Sequence, residues 1–141
     1  MIKVHPYLNF DGKAEEAFNF YKSIFGGEFS MLQKMSDLPN AADIPESERN
    51  RVMHVALPIN DYTILMASDC VPSLGHVLIE GNNMYVSLGV DSREEADRIF
   101  NGLSAGGRVE MPMEDMFWGD YFGSFKDQYG VQWMISYAQY Q

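Results

Sequence analysis

The stretch from Asp11 to Gly27 reads D-G-K-A-E-E-A-F-N-F-Y-K-S-I-F-G-G, and the stretch from Asp91 to Gly107 reads D-S-R-E-E-A-D-R-I-F-N-G-L-S-A-G-G. Laid over one another, they place Glu15, Glu16, Ala17, Ile24 and Gly27 on Glu94, Glu95, Ala96, Leu103 and Gly106. A slip of one residue upstream pairs Phe10 with Val90 and His5 with Tyr85. Repeated units bury their apolar faces against a sibling, so a duplication bears on the whole fold. Two copies in 141 residues predict one domain spanning residues 1–141 rather than a solenoid. Its first module is expected at 1–69, a connection at 70–82 and the second module at 83–141.

Around each repeated stretch the apolar period alternates between that of a strand and that of a helix. Val4, Leu8 and Phe10 alternate with His5, Tyr7 and Asn9, which predicts a half-buried strand over Ile2 to Phe10. Pro6 cannot donate to a ladder, so this strand belongs at an edge or begins near the proline. Ala14, Ala17, Phe18, Tyr21 and Phe25 then recur at helical steps until Gly26-Gly27 ends the helix. Met31 to Met35 is a short strand, and Val52 to Ile59 with Tyr62 to Ser68 a hairpin about Asn60-Asp61. In the second copy Met84 to Val90 is a strand, and Ser92 caps a helix with apolar stripe Ala96, Ile99, Phe100 and Leu103. Arg108 to Met113, Tyr121 to Lys126 and Val131 to Tyr137 are three further strands. The fold class is therefore α+β, with two tandem β-α-β-β-β modules forming curved mixed sheets around a cleft. Asp37 to Asn50, with Pro39 and Pro45, is a long loop of the kind that is often functional.

Composition removes several function classes. A net charge of −10 with basic residues scattered singly argues against nucleic acid as a partner. The longest apolar runs, such as Ile64 to Ala67, fall far short of the roughly 20 residues of a membrane helix, so no membrane partner is expected. Nothing at the amino terminus reads as an export signal, and Cys70 is the single cysteine, which together predict a cytoplasmic protein. Cys70 reads as a small packed side chain rather than a nucleophile. There is no G-x-G-x-x-G after a strand, no G-x-x-x-x-G-K and no G-x-S-x-G.

Five motifs occur in order: P-Y-L-N-F-D-G at Pro6 to Gly12, E-E-A-F-N-F-Y at Glu15 to Tyr21, M-A-S-D at Met66 to Asp69, F-W-G at Phe117 to Gly119, and D-Q-Y-G-V-Q-W-M-I-S at Asp127 to Ser136. With the module repeat, they resemble the PhnB-like branch of the vicinal oxygen chelate superfamily, which contains glyoxalase I, extradiol dioxygenases and the bleomycin and fosfomycin resistance proteins. The resemblance covers nearly the whole chain. It implies a twofold homodimer and, in metal-dependent members, a divalent ion held by two side chains from each module. By position those would be His5 and Leu65 in the first module, with Tyr85 and Met134 in the second; the hairpin turns are aligned by placing Asp61 on Gly130. Leu65 and Met134 stand where the metalloenzymes carry carboxylates, so no metal and no other cofactor is expected in the usual site. PhnB-like proteins are also described as resembling a demethylubiquinone methyltransferase, but no glycine-rich loop for a nucleotide-like methyl donor is present.

Strand alternation predicts the lining of a pocket. If Val4, Leu8, Phe10, Ile64, Met66, Val86, Leu88, Trp133 and Ile135 pack beneath the helices, their neighbours face the other way. That concave face would hold His5, Tyr7, Asn9, Thr63, Leu65, Ala67, Asp69, Tyr85, Ser87, Gln132, Met134 and Ser136, either as the wall of a small-molecule site or as the filling of a closed barrel. Met111 to Phe122 reads as an aromatic flap whose Phe117, Trp118 and Tyr121 cover a ligand, or alternatively as a plug or dimer contact. The expected ligand-binding residues are His5, Tyr7, Asn9, Leu65, Tyr85, Ser87, Phe117, Trp118 and Met134. Two functions stay open: a non-catalytic binder of a small apolar or aromatic molecule, and a lyase, isomerase or dioxygenase. The enzyme would use His5 with Tyr85, or a shifted metal site drawn from His5, His54, Asp69 and Glu110.

Overall fold

The computed structural model of the chain describes residues 1–138 and divides into two compact units, residues 1–79 and residues 80 onward. In the first unit the elements run β1 (Tyr7–Phe10), α1 (Ala14–Phe25), β2 (Met31–Lys34), β3 (Val52–Pro58) and β4 (Ile64–Asp69). They form one four-stranded sheet in the order β1-β4-β3-β2, with β1 parallel to β4 and the other pairs antiparallel. The second unit repeats this as β5 (Val86–Gly89), α2 (Arg93–Ser104), β6 (Arg108–Asp115), β7 (Asp120–Lys126) and β8 (Gln132–Ala138), in the order β5-β8-β7-β6. The two mixed sheets are separate rather than joined in a closed barrel, and with their helices they make the expected pair of β-α-β-β-β modules.

Each helix covers one face of its own sheet. Ala14, Ala17, Phe18, Tyr21 and Ile24 of α1 are buried with Phe10, Val55, Leu57 and Ala67, and the Phe10 and Phe18 rings meet edge to face at 6.3 Å. In the second unit Ala96, Ile99, Phe100 and Leu103 are buried with Phe125, Trp133 and Ile135. Gly123 lets α2 approach closely, because a Cβ there would stand 2.8 Å from the Phe100 ring and 2.7 Å from Met113 Sδ. The Ser92 hydroxyl accepts the Glu95 N–H at 3.1 Å, as its N-cap position predicts.

The first strand is shorter than its alternation suggests. Pro6 has no N–H, so the ladder starts at Tyr7 while the Pro6 carbonyl still accepts the Met66 N–H at 3.1 Å. β1 is an edge strand, in keeping with the proline, but Val4 lies ahead of it, 84% exposed, and not in the core. The long loop at 37–50 is not featureless; short 3₁₀ turns at Met35–Asp37, Ala41–Asp43 and Glu46–Glu48 give it a defined path.

The faces of β4 are the reverse of those expected. Leu65, at 2% exposure, and Ala67 are buried on the helix side, and Ile64, Met66 and Ser68 take the opposite, open face. The turns explain the difference. Ile59 donates to Thr63 across the first hairpin and Asp127 to Val131 across the second, so these pairs correspond. Leu65 then superposes on Trp133, and Met66 on Met134. Placing Asp61 on Gly130 errs by one residue, and a slip of one residue turns every side chain of a strand over. The register agrees, since Tyr7 pairs with Met66 and Ser87 with Met134.

Asp69, 4% exposed, ends β4 by accepting the Ala14 N–H at 3.0 Å and the Val52 N–H at 2.8 Å. Removing the carboxylate strands two buried donors, so Asp69→Ala is expected to cost about 2–4 kcal/mol of unfolding free energy in urea melts. Leu65→Ala should cost about 2–5 kcal/mol, and Met66→Ala markedly less; the opposite ranking would return Leu65 to the open face.

Candidate functional site

In the first unit the carboxyl ends of the parallel strands β1 and β4 open into a groove of about 740 Å³. Its floor is Asn9, Met53, Ser68, Asp69 and Cys70. One wall is Met35 and Leu38, from the end of β2 and the long loop, and the other is Val71, Leu74, His76, Val77, Leu78 and Ile79, from the connection after β4. The volume falls within the range of small-molecule sites, and the lining pairs aliphatic and thioether groups with a few polar atoms.

Glu48 ties the two walls together. Its carboxylate is buried and accepts both the backbone N–H of Ser73, at 3.0 Å, and the Ser73 hydroxyl, at 2.5 Å. The His76 Nδ1 accepts the Val71 N–H at 3.3 Å, which closes the start of the connection on itself. Leu74, within this closed segment, and Val77 and Ile79, beyond it, line the groove while largely exposed.

Beside the floor, Arg51 holds the end of β4. Its Nη1 donates to Asp11 Oδ1 at 2.7 Å and to the Cys70 carbonyl at 2.8 Å. Gly12 turns the chain beside the guanidinium at φ +83°, a conformation that L side chains rarely adopt. A hydrogen bond from Arg51 holds the Asp11 carboxyl below the usual carboxylate range. Burial pushes the Cys70 thiol up, and Asp11, which accepts its S–H at 3.4 Å, pushes it the same way. The thiol is therefore held protonated, unlike an activated nucleophile.

Of the residues expected in a site, Asn9 lines the groove and Tyr7 stands on the same open face. Tyr7 reaches across β4 to His54, with rings stacked at 5.7 Å and its hydroxyl 3.3 Å from His54 Nδ1. His5 is turned to the backbone, its Nδ1 accepting the Ile64 N–H at 3.1 Å. Leu65 belongs to the core. In the second unit Ser87 and Met134 are register partners, and the Tyr85 hydroxyl donates to Glu110 at 2.8 Å, which raises the phenol above its usual value. Among the described residues no three His, Cys, Asp or Glu side chains lie together where they could hold a metal ion.

Met111 to Phe122 is not a single flap but the end of β6, a turn and the start of β7. Phe117 and Trp118 sit on that turn, 97% and 52% exposed, with rings edge to face at 4.9 Å. Tyr121 faces the other way, buried beneath the Arg93 guanidinium and donating to Asp97. Both groove walls escaped the expected site. Their signal was an apolar run, Val77-Leu78-Ile79, inside a connection otherwise rich in polar residues and glycine, but no periodicity says what such a run packs against.

Two sheets of this topology, each with one helix, define a protein of the glyoxalase and bleomycin-resistance fold. A glyoxalase-related enzyme from Fulvimarina pelagi shares it at a TM-score of 0.63 and 17% identity, over 97% of this chain and 88% of that one. Within that fold the chain belongs to the PhnB-like family described as 3-demethylubiquinone-9 3-methyltransferase, whose model matches residues 2–136. It is 31% identical to the protein YjdN of Escherichia coli, over 99% of this chain and 98% of that one. Protein PA1353 of Pseudomonas aeruginosa is similar at 36% identity and a TM-score of 0.87, covering 99% of this chain and 100% of its own. The PhnB protein of Bacillus cereus is similar at 28% identity and a TM-score of 0.78, covering 97% of this chain and 100% of its own.

Alkylation of Cys70 by iodoacetamide is expected to have its pH midpoint above that of a free thiol, and Asp11→Asn should move it down. The folded thiol favours its proton more than the unfolded one does, so this contribution to stability is present below the ordinary thiol pKa and is lost as pH rises through the folded value.

Proposed function

We propose that this chain is a small-molecule-binding protein whose ligand, an apolar molecule, sits in the groove of the first unit. The observation that carries the reading is the groove itself, where eight of the thirteen described residues that line it are aliphatic or thioether-bearing: Met35, Leu38, Met53, Val71, Leu74, Val77, Leu78 and Ile79. Burying a ligand against such a lining yields about 25 cal/mol for each Å² of apolar surface removed from water. Asn9, Ser68 and His76 would orient the ligand's polar atoms.

The reading excludes the divalent-metal chemistry of the superfamily. With the turns aligned by their hydrogen bonds, the ligand positions carry His5 and Met66 in the first module, and Tyr85 and Met134 in the second. An imidazole, a phenol and two thioethers do not suit a magnesium, manganese, nickel or zinc ion. The nitrogen of His5 that faces the sheet and both oxygens of Asp69 are already engaged with backbone N–H groups. The methyl transfer in the family's description is not part of the proposal, because the chain has no glycine-rich loop opening a helix for a nucleotide-like donor. Cytoplasmic residence, a single domain and a twofold homodimer complete it, and sizing chromatography tests the dimer.

The uncharged fluorophore N-phenyl-1-naphthylamine is expected to bind saturably at one site per chain, with at least about a tenfold loss of affinity in Met53→Trp, which fills the groove floor. Saturable binding untouched by Met53→Trp would place the site elsewhere. Stoichiometric metal in the purified protein that disappears in His5→Ala would favour the enzyme instead.

A further inference from the structure

Resting on that reading, we propose that the groove selects by charge: it accepts neutral or cationic apolar ligands and rejects organic anions such as carboxylates, sulfonates and phosphate esters. Among the described residues no lysine or arginine lines it, and its one acidic side chain is the buried Asp69. The positive features nearby are already engaged. The first N–H of α1, where an anion would ordinarily be received, donates to Asp69. Arg51, behind the floor, directs Nη1 to Asp11 and the Cys70 carbonyl. Lys13, Lys22 and Lys34 of the same unit pair with Glu16, Glu28 and Glu15. The loop that supplies one wall carries Asp37, Asp43, Glu46 and Glu48 against the single Arg49, whose Nε donates to the Ile44 carbonyl.

An anion entering the groove would shed water without gaining a counter-charge, and would do so beside Asp69. Burying an unpaired charge is among the costliest events in a protein interior, and like-charge approach adds to it. A neutral ligand meets neither penalty, and a cation is drawn by the same carboxylates.

A matched pair of fluorophores tests this. N-phenyl-1-naphthylamine and 8-anilinonaphthalene-1-sulfonate share one ring scaffold and differ by a sulfonate. At low ionic strength the sulfonate is expected to bind at least about tenfold more weakly to the wild-type protein. Leu74→Lys adds a cation to the wall at a position 70% exposed, where the fold is not disturbed. Compared with the uncharged control Leu74→Gln, it should raise affinity for the sulfonate relative to the neutral compound by about threefold or more. Equal affinity for both compounds, each lost in Met53→Trp, would overturn the charge selection while leaving the binding reading intact. Binding of neither compound, or binding of both that ignores Met53→Trp, would overturn the binding reading and this inference with it.

Discussion

A single buried carboxylate joins the parts of the first unit on which the rest depends. Asp69 closes β4 and receives the first N–H of α1 on one oxygen and the first N–H of β3 on the other. Beside it, the Cys70 N–H donates to the Phe10 carbonyl at 2.7 Å and extends the parallel pairing of β1 with β4. A charge at this depth is tolerable only when its hydrogen bonds are satisfied, so its two donors are held as firmly as it is. The helix must begin where it does, and β3 must enter the sheet at Val52. The second unit meets a similar demand elsewhere: Asp127, in the turn before β8, accepts the N–H groups of Tyr129 and Val131 and the indole N–H of Trp133.

The same carboxylate shapes the groove beside it. Because Asp69 takes the first N–H of α1, that donor is not open to an incoming anion, and the floor is left with short polar groups and sulfur. The walls come from the two segments without strands, the loop at 37–50 and the connection after β4, joined by Glu48 and Ser73. The repeat therefore supplies the frame, and the parts of the chain that do not repeat supply the cavity. Functional sites commonly fall this way, with variable loops mounted on a rigid scaffold.

The twin units also diverge on their open faces. In the first, Tyr7 stacks on His54, joining β1 to β3; in the second, Tyr85 bonds to Glu110, reaching from the approach to β5 to the far edge strand β6. One pair is aromatic and the other a phenol on a carboxylate. Duplication has kept the sheet and allowed the chemistry on it to change, so a family resemblance identifies the fold without identifying the reaction.

The repeated stretches at Asp11 and Asp91, the glycine pairs that end each helix, the Ser92 cap and the edge position implied by Pro6 were all legible in the residues, because each is a local preference expressed within a few positions. The two-module fold followed from them. The open-face places of Tyr7, Asn9, Ser87 and Met134 were legible too, since alternation on β1, β5 and β8 is unambiguous. The face of Leu65 was not: β4 is apolar on both faces, and the hydrogen bonds that close its turn, not its composition, decide which residue points inward. The groove was not legible either, because Met35, Leu38, Met53 and the run from Val77 to Ile79 lie far apart in the chain and meet only when the Asp69 and Glu48 carboxylates draw their segments together. Local preference determined the elements and their order. Long-range hydrogen bonding to buried charge decided where the cavity lies, because sequence spacing carries no record of which distant donors a buried carboxylate will bind.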